Sequence, residues 1–153
     1  MRVAFAADHA GADLKAELLE RAAAELPGHH LVDLGGDGSD PADDYPDFAR
    51  AIGRAVRDGE VDRGILICGS GVGASVAATK VHGVRAAVCH DTYSARQGVE
   101  HDDMNVLCLG ARVVGAEVAF ECLRAFLGAT FSGEARHARR LAKTMAIEAE
   151  EHR

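Results

Sequence analysis

Short, almost continuous hydrophobic runs alternate along the chain with longer stretches in which apolar residues recur every three or four positions. The runs cover residues 3–7, 31–34, 64–68, 84–89 and 106–109. Runs that lack polar alternation are typical of parallel β-strands covered by helices on both faces. We therefore predict a parallel sheet of about five strands.

The stretches between the runs have the periodicity of amphipathic helices. Leu14 and Leu18 begin one series of apolar residues at steps of four, and Phe48 and Ile52 begin a second. Further helices are predicted over residues 73–81, 93–100, 117–127 and 136–151. This alternation of strands and helices predicts an α/β fold, a three-layer, doubly wound (Rossmann-like) parallel sheet with a C-terminal helix.

Length and composition narrow the possible classes of protein. The 153 residues, 48% hydrophobic and 27% charged, predict a single domain over residues 1–153. The net charge of −7 opposes binding to nucleic acid or to an anionic membrane. The sequence has no apolar window of about 18 residues and no signal-peptide pattern, so we expect a cytoplasmic protein.

The four cysteines are far apart and include no C-x-x-C pair, which fits a reducing compartment. Cys89, Cys108 and Cys122 lie within apolar runs, and we predict that they are small buried hydrophobic residues. Cys68 differs from them because it ends the third predicted strand within a glycine-rich segment.

That glycine-rich segment is the most distinctive part of the sequence, GILICGSGVGAS over residues 64–75. Glycine lets the backbone turn sharply and lets a ligand approach closely. Successive N–H groups at such a turn form an anion-binding concavity. Donors of this kind favour the thiolate form of a neighbouring cysteine, which makes Cys68 a candidate base or nucleophile. The alternative is a turn that only allows tight packing, with Cys68 an inert core thiol.

The same segment also matches a dinucleotide-binding pattern, although weakly. Gly69-x-Gly71-x-x-Ala74 fits G-x-G-x-x-G/A, and Asp91 follows about 20 residues later. However, the preceding strand is the third and not the first, and only one strand follows Asp91. A non-catalytic dinucleotide-binding module is therefore the alternative from a different class.

Polar residues also follow other strands, where parallel sheets bind their ligands. Asp8 could accept a hydrogen bond from a hydroxyl and His9 could contact an anion. A helix cap at Asp8 and an exposed His9 explain the same residues equally well. Near the last strand, His101 is flanked by carboxylates and is a candidate general acid or base, unless it is simply an exposed loop residue.

A basic cluster stands out near the end of this acidic chain. Arg136 and Arg140 are four residues apart, so they share a helix face that suits a phosphate; a solvated helix is the alternative. The acidic loop 35–48 matches no calcium-binding loop. The histidine pair at residues 29–30 and His152 are predicted to be exposed and lack metal-ligand spacing. We therefore predict no metal site.

Together these motifs resemble those of the ribose-5-phosphate isomerase B family, which includes the galactose-6-phosphate isomerase subunits. The resemblance extends from Asp8 to Arg140. It is carried by the segments DHAG (8–11), DYP (44–46), GILICGSGVG (64–73), GVRA (83–86), H with NVL (101, 105–107), GARVVG (110–115) and RH (136–137).

The resemblance implies an aldose–ketose isomerase that acts on a sugar phosphate without a metal or a cofactor. In this family a base moves a proton from C2 to C1 through an enediolate. Cys68 occupies the position of that base. Some relatives use a glutamate six residues further on instead, but this chain has Ala74 at that position. Ser70 and the backbone of four residues correspond to the groups that bind the developing oxyanion. These four are Gly69, Gly71, Val72 and Gly73.

The remaining correspondences concern the sugar ring and the phosphate. His101 corresponds to the residue that opens the furanose ring, and Asp8 and His9 correspond to substrate contacts. The matching phosphate contacts are Arg112, Arg136 and Arg140. Family members are dimers or tetramers with sites shared between subunits, so the resemblance implies a homodimer or homotetramer. His101 and some of the arginines are then expected to act across an interface.

The substrate implied is ribose 5-phosphate, converted to ribulose 5-phosphate, with aldose phosphates of four or six carbons as alternatives. Asp102 stands beside His101 where the family commonly has asparagine. A carboxylate accepts hydrogen bonds but cannot donate them while ionised, and it could repel a nearby phosphate. We expect Asp102 to contact the substrate and to affect which aldose phosphate is preferred.

Overall fold

The computed structural model describes residues 1–151, and His152, which the sequence predicts to be exposed, lies outside them. The strands are β1 (Arg2–Ala7), β2 (His30–Asp33), β3 (Arg63–Cys68), β4 (Ala86–Val88) and β5 (Val106–Gly110). The helices are α1 (Ala12–Glu25), α2 (Tyr45–Arg57), α3 (Val72–Ala78), α4 (Thr92–Asp102), α5 (Ala116–Gly128) and α6 (Ala135–Glu151). Over these residues, no helix has the length and apolarity needed to cross a membrane.

The five strands form one sheet in the order β2-β1-β3-β5-β4, with every neighbouring pair parallel. The predicted Rossmann-like α/β fold with a C-terminal helix is thereby confirmed. The chain leaves β1 toward β2 on one side and returns to β3 on the other. The connections therefore diverge above the carboxyl ends of β1 and β3, which is where open parallel sheets form ligand crevices.

Alternate residues of the central strands build two separate cores. Phe5 and Ile67 belong to the core that also contains Phe120 of α5. Leu66 belongs to the opposite core, with Ile52 of α2. All five side chains are fully buried, and each contributes about 1.5–3 kcal/mol of hydrophobic stabilisation. Helices on both faces explain why the strands read as continuous apolar runs.

A buried lysine fixes the start of the long loop between β2 and α2. The Lys15 side chain is 4% exposed, and its Nζ donates to Asp33 Oδ1 at 2.6 Å and to the Gly35 carbonyl oxygen at 3.0 Å. A buried ammonium is tolerated when it is paired and hydrogen-bonded in this way. This anchor sets the direction in which the loop leaves the sheet.

Three predicted boundaries differ from those in the structure. β4 is shorter than predicted because the backbone N–H of Arg85 donates to the Asn105 side chain, at 2.8 Å. α3 ends at Ala78 and not near residue 81. α4 continues to Asp102, so the prediction that His101 follows the helix is wrong. Asp103 ends this helix in the left-handed conformation, at φ 51°.

Candidate active site

A cleft of 310 Å³ opens at the carboxyl ends of β1, β3 and β5, where the strand order reverses. Eight residues line it: Asp8, Tyr45, Cys68, Gly69, Ser70, Gly73, Arg112 and Val113. A larger cavity of 460 Å³ lies between α6 and the β4 side of the sheet. The smaller cleft is the candidate site, because it contains a thiol, a hydroxyl and a guanidinium at the sheet edge that binds ligands.

Cys68 lies at the base of this cleft, at the end of β3, and is 4% exposed. Its Sγ accepts a hydrogen bond from the backbone N–H of Gly71 at 3.1 Å. Gly71 has a φ of +80°, in the left-handed region that favours glycine. The turn thus aims a backbone donor at the sulfur.

The other three thiols have different surroundings. Burial raises the pKa of Cys89 to about 11 and that of Cys122 to about 11, and it raises the pKa of Cys108 further. Their prediction as buried hydrophobic residues is confirmed. Of the chain's four cysteines, Cys68 alone lines the cleft.

Two of the predicted oxyanion donors already have partners in this structure. The Gly71 N–H bonds to Cys68, and the Val72 N–H donates to Ser70 Oγ at 3.2 Å. Because Ser70 Oγ accepts that bond, its own proton is available for a ligand. Gly69 and Gly73 line the cleft, whereas the Val72 side chain is exposed.

Tyr45 lines the cleft, but the sequence analysis did not assign it a role. A Cβ on Gly73 would lie 2.7 Å from its ring, so the phenol packs directly against this glycine. Tyr45 begins α2, with Pro46 in the first turn. The signal in the sequence was the segment Asp44-Tyr45-Pro46, an aromatic residue between an acidic loop and a helix start.

Asp8 and His9 sit where β1 ends and are held by local hydrogen bonds. Asp8 is 6% exposed, and its Oδ1 accepts from the N–H groups of Ala10 and Gly11 at 3.0 and 3.2 Å. Asp8 therefore caps the turn before α1 and also lines the cleft. His9 is exposed near this turn, and both its backbone N–H and its Nδ1 lie 2.8 Å from Asp43 Oδ1.

The hydrogen bond to Asp43 raises the pKa of His9 above its ordinary value, with further contributions from the charges of Asp8 and Asp43. A protonated imidazole beside the cleft suits an anionic ligand. Asp43 was missed from the sequence because it lies within an acidic loop and no local pattern links it to His9.

We expect the Asp43→Asn variant to lose anion binding at a lower pH than the unaltered protein. The raised pKa keeps His9 charged to higher pH, and this charge is lost as pH rises through that pKa. The neutral amide removes most of the elevation. Sulfate affinity, measured by calorimetry from roughly pH 6 to 9, checks this because the charge of sulfate is constant there. Asp47→Asn, at an exposed carboxylate, is the control; coincident curves for all three proteins would contradict the expectation.

Arg112 places a positive charge beside the glycine turn. Its backbone N–H donates to the Gly69 carbonyl oxygen at 3.0 Å, which ties it to the end of β3. Its Nη1 lies 3.4 Å from the point that a Cβ on Gly69 would occupy. The guanidinium therefore lies over a residue without a side chain and lines the cleft.

The remaining candidate residues lie at the opposite edge of the sheet. His101 and Asp102 end α4, just before β5 begins, whereas Cys68 pairs with the last residue of β5. The two edges are separated by roughly 13 Å of strand. Arg136 and Arg140 lie on α6, which packs against α4. Within a single chain these residues therefore do not cluster with Cys68, because a helix that follows a parallel strand returns to the starting edge.

At this second edge, His101 is half-buried and Asp102 is exposed beside the larger cavity. Arg136 pairs with Glu134, with 2.9 Å between Nε and Oε2, and Arg140 is exposed one turn later. Asp91, the carboxylate in the dinucleotide pattern, accepts from the Ser94 N–H at 2.7 Å and caps α4. Within residues 1–151, no group of three or more His, Cys, Asp or Glu residues is placed to hold a metal ion.

Comparisons with known proteins complete this description. A family model described as Ribose/Galactose Isomerase matches residues 3–144. The chain is 44% identical over 153 residues to ribose-5-phosphate isomerase B of Escherichia coli strain K12, with 96% of each chain covered. It is 41% identical over 133 residues to D-erythrulose-4-phosphate isomerase of Pectobacterium atrosepticum, covering 87% of this chain and 86% of that relative.

A solved structure shows the same similarity to sugar-phosphate isomerases. Ribose-5-phosphate isomerase B from Mycoplasma genitalium, with bound ribulose-5-phosphate, matches with a TM-score of 0.89 and 40% identity, covering 97% of each chain. The protein is thus an isomerase that interconverts aldose and ketose phosphates. The chain belongs to the ribose/galactose isomerase family, as its motifs predicted.

Proposed function

We propose that this protein interconverts ribose 5-phosphate and ribulose 5-phosphate, with Cys68 as the catalytic base. The observation that carries the proposal is the thiol at the base of the cleft, hydrogen-bonded to the Gly71 N–H and close to the Ser70 hydroxyl in the same turn. The substrate is supported by the Escherichia coli relative and by the ribulose-5-phosphate in the Mycoplasma genitalium structure.

In this mechanism the Cys68 thiolate removes the proton on C2 of the open-chain aldose. The C2–H bond breaks and an S–H bond forms, while the electron pair moves into a C1–C2 double bond and the carbonyl oxygen becomes an enediolate oxygen. The proton of the C2 hydroxyl passes to the oxygen on C1, the thiol returns its proton to C1, and a carbonyl forms at C2. The Ser70 hydroxyl and the backbone of Gly69 and Gly73 face the developing negative charge. One preorganised donor of this kind can stabilise a transition state by ~3 kcal/mol.

Phosphate binding in the same chain is assigned to Arg112 and protonated His9. A phosphate held away from the reacting carbons provides binding energy that orients C1 and C2 over the sulfur. The Arg112 guanidinium matches the geometry of phosphate oxygens better than an ammonium would.

The rest of the site is supplied, in this proposal, by a second copy of the chain. Among residues 1–151 no histidine lines the cleft, whereas His101 and the arginines of α6 lie at the other sheet edge. Val72 and Val76 of α3 and Val113 beside the cleft are 57%, 57% and 61% exposed. Apolar surface next to a charged cleft is typical of an interface. A homodimer, or a homotetramer built from dimers, would cover it and join the two edges.

A panel of aldose phosphates with four, five and six carbons tests the proposed substrate. We expect the highest kcat/KM with ribose 5-phosphate. A thermal-shift series with the same compounds and with NAD accompanies it. Stabilisation by NAD, without turnover of any sugar phosphate, would overturn the proposal and favour a dinucleotide-binding module.

A four-carbon aldose phosphate is the second candidate, favoured by the Pectobacterium atrosepticum relative. Asp102 gives a way to test it. We expect Asp102→Asn to raise kcat/KM for ribose 5-phosphate, relative to the four-carbon substrate, by about tenfold, because an amide can donate where a carboxylate cannot. Asp13→Asn, at an exposed position on α1, controls for the change in net charge. An unchanged ratio would mean that Asp102 has no part in substrate choice.

A further inference from the structure

The imidazole of His101 is held by two side chains that the resemblance does not account for. The ring of His137 stacks on it, with 3.8 Å between ring centroids and 26° between planes. One turn earlier on α4, Gln97 Nε2 lies 2.8 Å from His101 Nδ1. One contact fixes the plane of the ring and the other fixes its rotation within that plane.

His137 is itself firmly anchored. It is 2% exposed and is the buried residue of α6. Its Nδ1 lies 2.6 Å from Ser132 Oγ, which also accepts from the Glu134 N–H at 3.2 Å. The backbone N–H of Ser132 donates to the Glu100 carbonyl oxygen at 2.9 Å, so this segment is tied to α4 next to His101. Such a connected arrangement leaves His137 little freedom to move away from the stack.

We propose that Gln97 and His137 are positioning residues for His101, Gln97 by fixing its tautomer and His137 by fixing its ring plane. The inference rests on the proposed function, because it assigns these residues to the opening of the substrate's furanose ring. Neither residue needs to touch the sugar. Their effect is to keep the proton of the neutral His101 ring on Nε2 and to hold Nε2 in one orientation.

The tautomer follows from the donor at Nδ1. An amide N–H donates, so Nδ1 accepts and the proton of the neutral ring is on Nε2. His101 therefore presents an acid. In ring opening, Nε2–H gives its proton to the ring oxygen as the bond from C1 to that oxygen breaks. The C1 hydroxyl gives its proton back to Nε2 as the C1 carbonyl forms, so the imidazole ends unchanged.

The charges around the stack support the same assignment. Burial lowers the pKa of His137, and the neighbouring His101, Arg136 and Arg140 lower it further, while Glu134 opposes them. On the α4 side, His101 is flanked in sequence by Glu100 and Asp102. A positive charge on His137 would be repelled by the neighbouring guanidinium groups, so these surroundings favour its neutral ring.

The chemistry of the substrate separates ring opening from isomerisation. Ribose 5-phosphate closes a furanose ring through its C4 hydroxyl. Ribulose 5-phosphate cannot close one onto C2, because its C5 oxygen carries the phosphate. A loss of ring opening therefore slows the aldose-to-ketose direction and spares the ketose-to-aldose direction.

The experiment measures both directions for Gln97→Leu, His137→Ala and His137→Phe. For Gln97→Leu and His137→Ala we expect at least about a tenfold loss from the aldose and less than about a twofold loss from the ketose. At high enzyme concentration, the aldose-to-ketose rate of these two variants should no longer increase with the amount of enzyme, because spontaneous ring opening of the substrate then limits it. His137→Phe retains the stacked ring and should recover most of the forward rate. His30→Asn, at an exposed histidine of β2, is the control.

A structural readout accompanies the kinetics. Nitrogen NMR of the imidazole should show His101 with its proton on Nε2, and Gln97→Leu should change that tautomer population. Equal losses in both directions, or an unchanged tautomer, would overturn the inference while the proposed function stands. A wild-type protein inactive in both directions would overturn the proposed function and, with it, the role in ring opening.

Discussion

Replacing Cys68 with alanine is expected to lower isomerisation by at least about a thousandfold, the range in which a positioned acid or base acts. No other thiol lines the cleft, and the remaining donors there stabilise an enediolate but cannot remove the C2 proton. Ketose formation and uptake of solvent deuterium at C1 and C2, followed by NMR, measure the loss. Both should fall together, because the same sulfur is proposed to remove and return the proton.

The control for this variant is Cys89→Ala. Burial raises the pKa of Cys89 to about 11, and its sulfur lies in the core away from the cleft. This variant should keep its turnover while losing some thermal stability through the cavity it creates. Sulfate binding should persist in Cys68→Ala, which would show that the anion site is intact. Undiminished turnover in Cys68→Ala would remove the sulfur from the mechanism.

The fold could be predicted from the sequence because its signals are local. Strands covered on both faces must be apolar throughout, so β1, β3 and β5 appear as uninterrupted runs. β4 was predicted too long because Val84 and Cys89 extend the apolar run at its two ends. The backbone N–H of Arg85, just before the strand, donates to the side chain of Asn105, a contact that no local pattern predicts.

The part of the site that could be predicted is likewise the part formed by residues close together in the sequence. Cys68, Ser70 and the glycines at 69, 71 and 73 lie within six consecutive residues, so strand, turn and donors are visible together in the sequence. Tyr45 reaches the cleft and Asp43 reaches His9 through a loop that begins at the Lys15 anchor and is held by contacts with Gly73 and His9. No periodicity or motif records such contacts.

The structure divides the candidate residues between two edges of the sheet. The proposed base and oxyanion donors lie at one edge, and His101 and two arginines lie at the other. A twofold axis can bring such edges together, because each copy then offers one half of a site and receives the other half. Two inactive variants with lesions at different edges can therefore repair each other.

An equal mixture of Cys68→Ala and His101→Asn chains, refolded together, is expected to regain about a quarter of the wild-type aldose-to-ketose rate. Random pairing makes half of the dimers mixed, and each mixed dimer contains one site with both residues intact and one with neither. The assay uses high enzyme concentration with ribose 5-phosphate, where each variant alone is slow. The regained rate should follow the fraction of mixed dimers as the mixing ratio is varied.

The matched control mixes Cys68→Ala with Ser70→Ala, whose lesions lie in the same turn. Every site in that mixture carries one of the two lesions, so pairing adds nothing beyond the activity of Ser70→Ala alone. If the complementing pair also gains nothing, although size measurements show mixed dimers, then His101 and Cys68 do not act in one shared site. Ring opening would then have to be assigned to a group of the same chain as Cys68, such as His9, which follows the cleft residue Asp8.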